Sequence, residues 1–294
     1  FGESPKWVRL IDGLNCTPLS FKEKPPSRKL TVPVLGAIKI SKVGGASKGP
    51  MGQWRKAFRG QGHCVRSTMA GPKALPWPAM TKTLKIDFVS DVSCPWCVIG
   101  LRALQQAADR LKDEVALDLH FQPFELNPQM GPQGQDIGEH LQEKYGASAE
   151  QREATRAAIA ARGAELGFTF TPGARGRIYN TFDAHRLLHW AELQGCQLAL
   201  KQALFKAYFT DGQDPSNHDL LVRVAGGVGL NEDEARTLLA SDRFAEEVRA
   251  REQFYLQQGI HSVPAVVIND RHLLQGGQPV EVFEQALRQI AAAE

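Results

Sequence analysis

Apolar and polar positions fall into regular patterns only from about residue 84 onward. Residues 84–89 (Leu-Lys-Ile-Asp-Phe-Val) alternate over most of their length, as a strand half-buried in a sheet does. Leu101, Leu104, Ala108 and Leu111 then recur at helical spacing, which predicts a helix starting at or just before Pro95. Proline suits a first helical position, because the N–H it lacks would have no partner there. Val115, Leu117, Leu119 and Phe121 alternate with Ala116, Asp118 and His120, a second strand. Strand, helix and strand over about forty residues predict a parallel, right-handed βαβ unit. Residues 122–132, with three prolines, read as an irregular connection.

Residues 136–258 are predicted to be helical nearly throughout, with no further strand. Ser148-x-x-Gln151 has the form of a capping box and opens a helix that runs to Leu166 and stops at Gly167. Two more helices are predicted over 182–194, ended by Gly195, and over 198–209. Asn217 and Asn231 are candidate N-caps of short helices, and a last one spans 242–258 before Gly259. The pattern then changes. Residues 263–268 form an apolar strand, Asn269-Asp270 a turn and 271–275 a returning strand. Gly276-Gly277 breaks it, and Pro279 opens a final helix with Val282, Phe283, Ala286, Leu287 and Ile290 inward. Neither flanking piece builds a sheet core alone, so 80–135 and 259–294 are read as one α/β domain and 136–258 as a helical insertion.

Charge separates the first 79 residues from the rest. They carry 14 Lys and Arg against 3 Asp and Glu, or +11, in a chain of net charge +3, which leaves −8 on the remainder. Rich in Gly, Pro, Ser and Lys and without periodicity, this segment reads as a disordered extension. No apolar core of a secretory signal stands near its start, it is more broken by Gly and Pro than a transit peptide, and its basic residues are too scattered for a nucleic-acid stripe. The favoured reading is a natural start at Met80, with upstream sequence before it and a cytoplasmic location. No run of eighteen apolar residues exists, so no membrane span is expected, and basic residues this scattered give no reason to expect a specific nucleic-acid partner.

Where the first strand gives way to the first helix stands Ser93-Cys94-Pro95-Trp96-Cys97. Cys94 falls at the helix N-terminus, where unpaired N–H groups and the macrodipole favour a thiolate. Cys97 lies one turn on, on the same face and within reach of a disulfide. A strand feeding a Cys-x-x-Cys at a helix start is a redox arrangement. The alternatives are half of a zinc site or two inert thiols. A structural zinc site needs two more close ligands, whereas Cys196 stands alone and Cys16 and Cys64 lie in the N-terminal segment. Cys196, beside a helix end, reads as a small buried side chain. His185 and His189, four apart on one helix face, lack a third ligand, so no metal is expected.

A βαβ unit carrying Cys-x-x-Cys, followed by a ββα unit whose first strand opens with proline, resembles the thioredoxin fold. The large helical insertion is similar to that of the DsbA group and, within it, of the FrnE-like branch. The resemblance is carried by Asp91-Val-Ser-Cys-Pro-Trp-Cys97, Phe121-Gln-Pro-Phe-Glu-Leu-Asn-Pro128, Asn180-Thr-Phe-Asp-Ala-His-Arg186 and Gly259-Ile-His-Ser-Val-Pro264. It implies a thioredoxin-like α/β fold with an all-helical insertion, and a thiol–disulfide oxidoreductase acting as oxidase or isomerase of protein dithiols. Cys94 would form a mixed disulfide with substrate and Cys97 would resolve it. Pro95 and Trp96 set the loop between the sulfurs. Pro264 matches the family's cis-proline, which would leave the Val263 backbone to pair with an extended substrate peptide.

Two further residues are ambiguous in that frame. The fold often places an acid on the first strand beneath the second cysteine, and Asp87 lies about one residue further from Cys94 than that position. Asp87 is either such a base or a polar strand residue. His185 either lines the groove over the active site or packs within its helix. The implied partners are proteins or small thiols, with glutathione a candidate co-substrate, no cofactor beyond the Cys94–Cys97 disulfide, and a homodimer compatible with the family. The glutathione-dependent branch, hydroxychromene carboxylate isomerases and kappa-class transferases, resembles the chain in fold and insertion but typically lacks the second cysteine. Cys97 therefore argues for dithiol chemistry. A holdase using the helical block is the non-catalytic alternative.

Overall fold

A computed structural model of the chain describes residues 8–9 and 81–293. The extension, its disorder and the start at Met80 therefore lie outside the described residues. The exception is β1 (Val8–Arg9), a strand in a stretch without periodicity. Two residues paired at a sheet edge are too few to show alternation.

The chain continues through β2 (Lys82–Ser90), α1 (Pro95–Arg110) and β3 (Val115–Pro123). A small hairpin-like pair, β4 (Gln135–Asp136) and β5 (Arg177–Ile178), encloses α2 (Ile137–Tyr145) and α3 (Ala149–Glu165). Next come α4 (Phe182–Leu193), α5 (Gln197–Phe209), α6 (His218–Gly227), α7 (Glu232–Leu239) and α8 (Ala245–Gln257). The chain closes with β6 (Ala265–Ile268), β7 (His272–Gln275) and α9 (Val280–Ala293). The main sheet has the order β1-β7-β6-β2-β3. β2 runs parallel to β3 and antiparallel to β6, which is antiparallel to β7.

Alternation along β2 sorts its side chains onto two faces. Leu84, Ile86 and Phe88 join α1 and α9 in the largest core cluster, which includes Leu101, Leu104, Phe283 and Leu287. Phe88 meets Phe121 of β3 edge-to-face at 5.7 Å between ring centroids. Val89 points the other way, into a core with Tyr255 of α8, Ile260 and Val267. The helical block has a core of its own, centred on Leu187, Trp190, Leu204 and Leu221. It also contributes Phe205, Tyr208 and Phe209 to the sheet's core, so α5 is shared by both. That sharing carries side chains of the insertion to the first-helix face of the sheet.

Several expectations need correction. The block read as free of strands contains β5 and follows directly on β4, two-residue strands with no period to detect. The last helix of the block starts at Ala245 and not at 242, because Phe244 takes a left-handed conformation with φ 65°. On α9 Val280 is buried while Val282 is only half-buried, since the inward stripe runs 280, 283, 287, 290. Cys196 is half-buried rather than buried and sits just before α5. The capping box of α3 forms as read, Ser148 Oγ accepting from Gln151 N–H and Gln151 returning the bond to Ser148 N–H.

Candidate active site

The end of β2 runs into a tight turn, and α1 begins at Pro95 with Cys94 as its capping residue. Asp91 organises that turn. Its backbone carbonyl accepts from Cys94 N–H at 3.3 Å, and its Oδ1 accepts from Ser93 N–H at 3.0 Å. Its Oδ2 accepts from Leu126 N–H at 2.7 Å, tying the turn to the segment after β3. His185 of α4 brings Nε2 to 3.7 Å from Asp91 Oδ1, an ion-pair distance too long for a hydrogen bond. Burial alone would push the Asp91 carboxyl up, but His185 and the two backbone N–H donors outweigh it and hold the group at about 2.

Cys94 caps the start of α1 and Cys97 follows in its first turn. Cys94 lies near the surface, 4% exposed, beside the exposed ring of Trp96, whereas Cys97 is fully buried. Burial pushes the Cys97 thiol well above its ordinary value, and its hydrogen bond to Cys94 adds to the rise, while the charge of Lys201 acts against it. The pair is thus unequal: Cys97 holds its proton, and Cys94 is the sulfur that an incoming disulfide can meet.

The other wall of the site is the segment before β6. The Val263–Pro264 peptide bond is cis. Cys94 Sγ lies 3.7 Å from the Val263 carbonyl oxygen. Close approach here rests on two glycines. A Cβ on Gly100 of α1 would stand 3.1 Å from Pro264 Cγ, and one on Gly277 would stand 3.1 Å from the Trp96 carbonyl oxygen. The structure thus brings together Cys94, Pro95, Trp96, Cys97, Val263 and Pro264, with His185 reaching Asp91 behind them.

Asp87 is not brought there. Strand alternation aims it at the face opposite Cys97, where Gln122 Nε2 donates to its Oδ1 at 2.7 Å and Lys85 Nζ lies 3.1 Å from Oδ2. It also holds the Tyr255 hydroxyl, whose acidity falls through burial and this carboxylate. Of its two readings, the geometry leaves the polar strand residue. His189 packs against Phe244 with the rings tilted by 57° and their centroids 4.9 Å apart. Among the described residues no group of three His, Cys, Asp or Glu is arranged to hold a metal ion.

Three residues escaped the sequence reading. Asp91 lies inside a quoted stretch, yet nothing in its spacing told its role from that of a turn residue. Gly277 read only as a strand breaker. Lys201 of α5 is fully buried with its Nζ unpaired among the described residues. A sequence signal for it existed: it occupies the same helix face as Phe205 and Tyr208, where a lysine does not belong.

The family model of the DSBA-like thioredoxin domain matches residues 85–288. The chain belongs to that family. It is similar to the solved structure of a probable DsbA oxidoreductase, SCO1869, from Streptomyces coelicolor, at 34% identity over 72% of this chain and 91% of that one, with a TM-score of 0.67. It is also 26% identical to the uncharacterized protein YwbO of Bacillus subtilis (strain 168), over 70% of this chain and 96% of the relative. A 2-hydroxychromene-2-carboxylate isomerase shares 15% identity over 71% of this chain and 97% of its own, with a TM-score of 0.52. At that identity the likeness is one of fold. The DsbA resemblance and the thioredoxin-like fold read from the sequence therefore hold, and they make the chain a member of a thiol-oxidoreductase family.

Proposed function

We propose that the protein is a thiol–disulfide oxidoreductase that oxidises or isomerises protein dithiols through a Cys94–Cys97 couple. One observation carries this reading: two thiols one helical turn apart, the first beside the Val263 carbonyl and still 4% exposed, the second fully buried. In the oxidising direction a substrate thiolate attacks Cys94 Sγ of the disulfide, and the bond to Cys97 breaks, leaving a mixed disulfide at Cys94. A second substrate thiolate then attacks the substrate sulfur, and Cys94 leaves, so the substrate gains a disulfide and the enzyme two electrons. Trp96 and the Val263–Pro264 edge supply a surface on which an extended peptide can lie. Glutathione serves as a small-thiol co-substrate in the same cycle, and the cytoplasm, where such pairs cycle rather than stay oxidised, is the proposed location.

The glutathione-dependent isomerase is the second reading, and the buried Cys97 weighs against it, because glutathione activation needs no resolving thiol. Cys97→Ser is the test. It should trap a stable mixed disulfide when reduced Cys94 attacks oxidised glutathione or a substrate disulfide, and lower turnover of a dithiol substrate at least ~100-fold, since the internal disulfide that accepts the electrons can no longer form. Cys94→Ser should lose both the adduct and the activity. Full activity in Cys97→Ser would favour the isomerase.

A further inference from the structure

Lys201 reaches the site from the helical block and nothing in the fold's architecture requires it. It is fully buried on α5, with Nζ 5.7 Å from the Phe121 ring centroid and 5.1 Å from that of Phe205. Phe121, Phe205 and Cys97 belong to one buried cluster. No hydrogen-bond acceptor meets the Nζ among the described residues. Two ring contacts return less than the desolvation of an ammonium takes away. A methionine or leucine would serve packing better, so packing alone does not account for a lysine here.

The surroundings show what it faces. The charges that act on Lys201 are Cys97 and Cys94 of the first helix and Asp91 of the turn before it. On its other side is a cavity of about 10 Å³, room for about one water. Gln122 of β3, His185 and His189 of α4, and Arg251 of α8 line that cavity with Lys201. His185 Nε2 and His189 Nδ1 are buried without hydrogen-bond partners, as is the lysine. The Lys201 Nζ and His189 Nδ1, both without a hydrogen-bond partner, and His185, whose Nε2 stands 3.7 Å from Asp91 Oδ1, thus belong to residues that border one water-sized space.

We propose that Lys201 is the proton acceptor and donor for the buried Cys97 thiol, in the place that a carboxylate on the first strand would have filled. This inference rests on the thiol–disulfide reading above. Neutral Lys201 takes the proton of Cys97 Sγ. The thiolate so formed attacks Cys94 Sγ of the mixed disulfide, the Cys94–Cys97 bond forms, and the substrate leaves as a thiolate that is protonated by solvent. The ammonium returns to the free amine by giving its proton to water. In the reverse direction the ammonium protonates Cys97 as that sulfur leaves. Burial holds the lysine at about 8, with Cys97, Asp91 and Cys94 drawing it back up, so both of its forms are populated near neutral pH.

The full chain and its Lys201→Met and Lys201→Gln variants would be reduced and mixed with oxidised glutathione from pH 6 to pH 10. Acid quenching and mass spectrometry separate the Cys94–glutathione adduct from the internal disulfide. The wild type should resolve its adduct with an inflection near about pH 8. Both variants should form the adduct as fast as the wild type but resolve it at least ~10-fold more slowly at pH 7, with the inflection moved upward. In a Cys94→Ser background, the Cys97 thiolate absorbance at 240 nm should move upward in the same way, a shift that lost packing alone would not produce. Variants that melt no lower than wild type and keep its resolution profile would overturn the inference. A wild type that forms the adduct but never the internal disulfide would overturn the thiol–disulfide reading, and this inference with it.

Discussion

Asp91 and Cys97 are buried a few residues apart and end on opposite sides of their ordinary acidities. The difference is in their partners: Asp91 has two N–H donors and His185, whereas Cys97 has a neighbouring sulfur. For Asp91 this gives a pH dependence of definite sign. Its folded value of about 2 lies below the unfolded value near ~3.9, so its contribution is present in full above about pH 4 and lost as pH falls through about 2. A difference of that size corresponds to ~2.6 kcal/mol. Asp91→Asn should lower stability at pH 7 by about that amount and flatten the acid limb of the stability curve, as read from urea midpoints between about pH 2 and pH 6. An acid limb as steep as in the wild type would show that Asp91 does not anchor the turn. At this scale the sequence told most about residues with a strong chemical signature. Cys94, Cys97 and Pro264 were legible because their types and spacing are rare. Asp87 was ambiguous because a single step along a strand reverses the face, and no spacing in the sequence fixes which of two neighbouring strand residues lies beneath a helix. Lys201 was missed because its partners come from β2–α1 and β3, about 80 to 110 residues away in sequence.

The elements hold the site by close approach rather than by many bonds. α1 lies close against Pro264 at Gly100, and Gly277 lies close against the Trp96 carbonyl, each with little room for a Cβ. Gly277→Val would press into that carbonyl and the Trp96 ring. It should lower stability by ~1–3 kcal/mol and slow formation of the mixed disulfide, while Cys97 keeps its pH behaviour, as measured by thermal melts and adduct kinetics. Unchanged adduct kinetics would show that the Trp96 loop does not depend on this contact. The long elements were legible because several turns or residues repeat one period: β2, β3, α1, α3 and α9 stand where polarity placed them. The two-residue strands β1, β4 and β5 carry no period, and the left-handed Phe244 is a local conformation that an aromatic residue rarely announces.

The whole molecule joins a sheet that presents two thiols to a helical block that reaches back beneath them. Phe205, Tyr208 and Phe209 fill the sheet's core from α5, and the same helix carries Lys201 to Cys97. The order βαβ, helices, ββα was legible from the change of period along the chain. That the inserted helices would share the sheet's core was not, because an apolar helix face does not name what it packs against. Cys94 and Cys97 are proposed to form a reversible couple. The most direct measurement is a redox titration of the full chain in glutathione buffers, with each cysteine labelled and read by mass spectrometry. A single two-electron transition confined to Cys94 and Cys97 is the predicted result, and its midpoint would set the direction of electron flow. A chain that forms no Cys94–Cys97 disulfide under any poise, or stops at a stable glutathione adduct on Cys94, would contradict it.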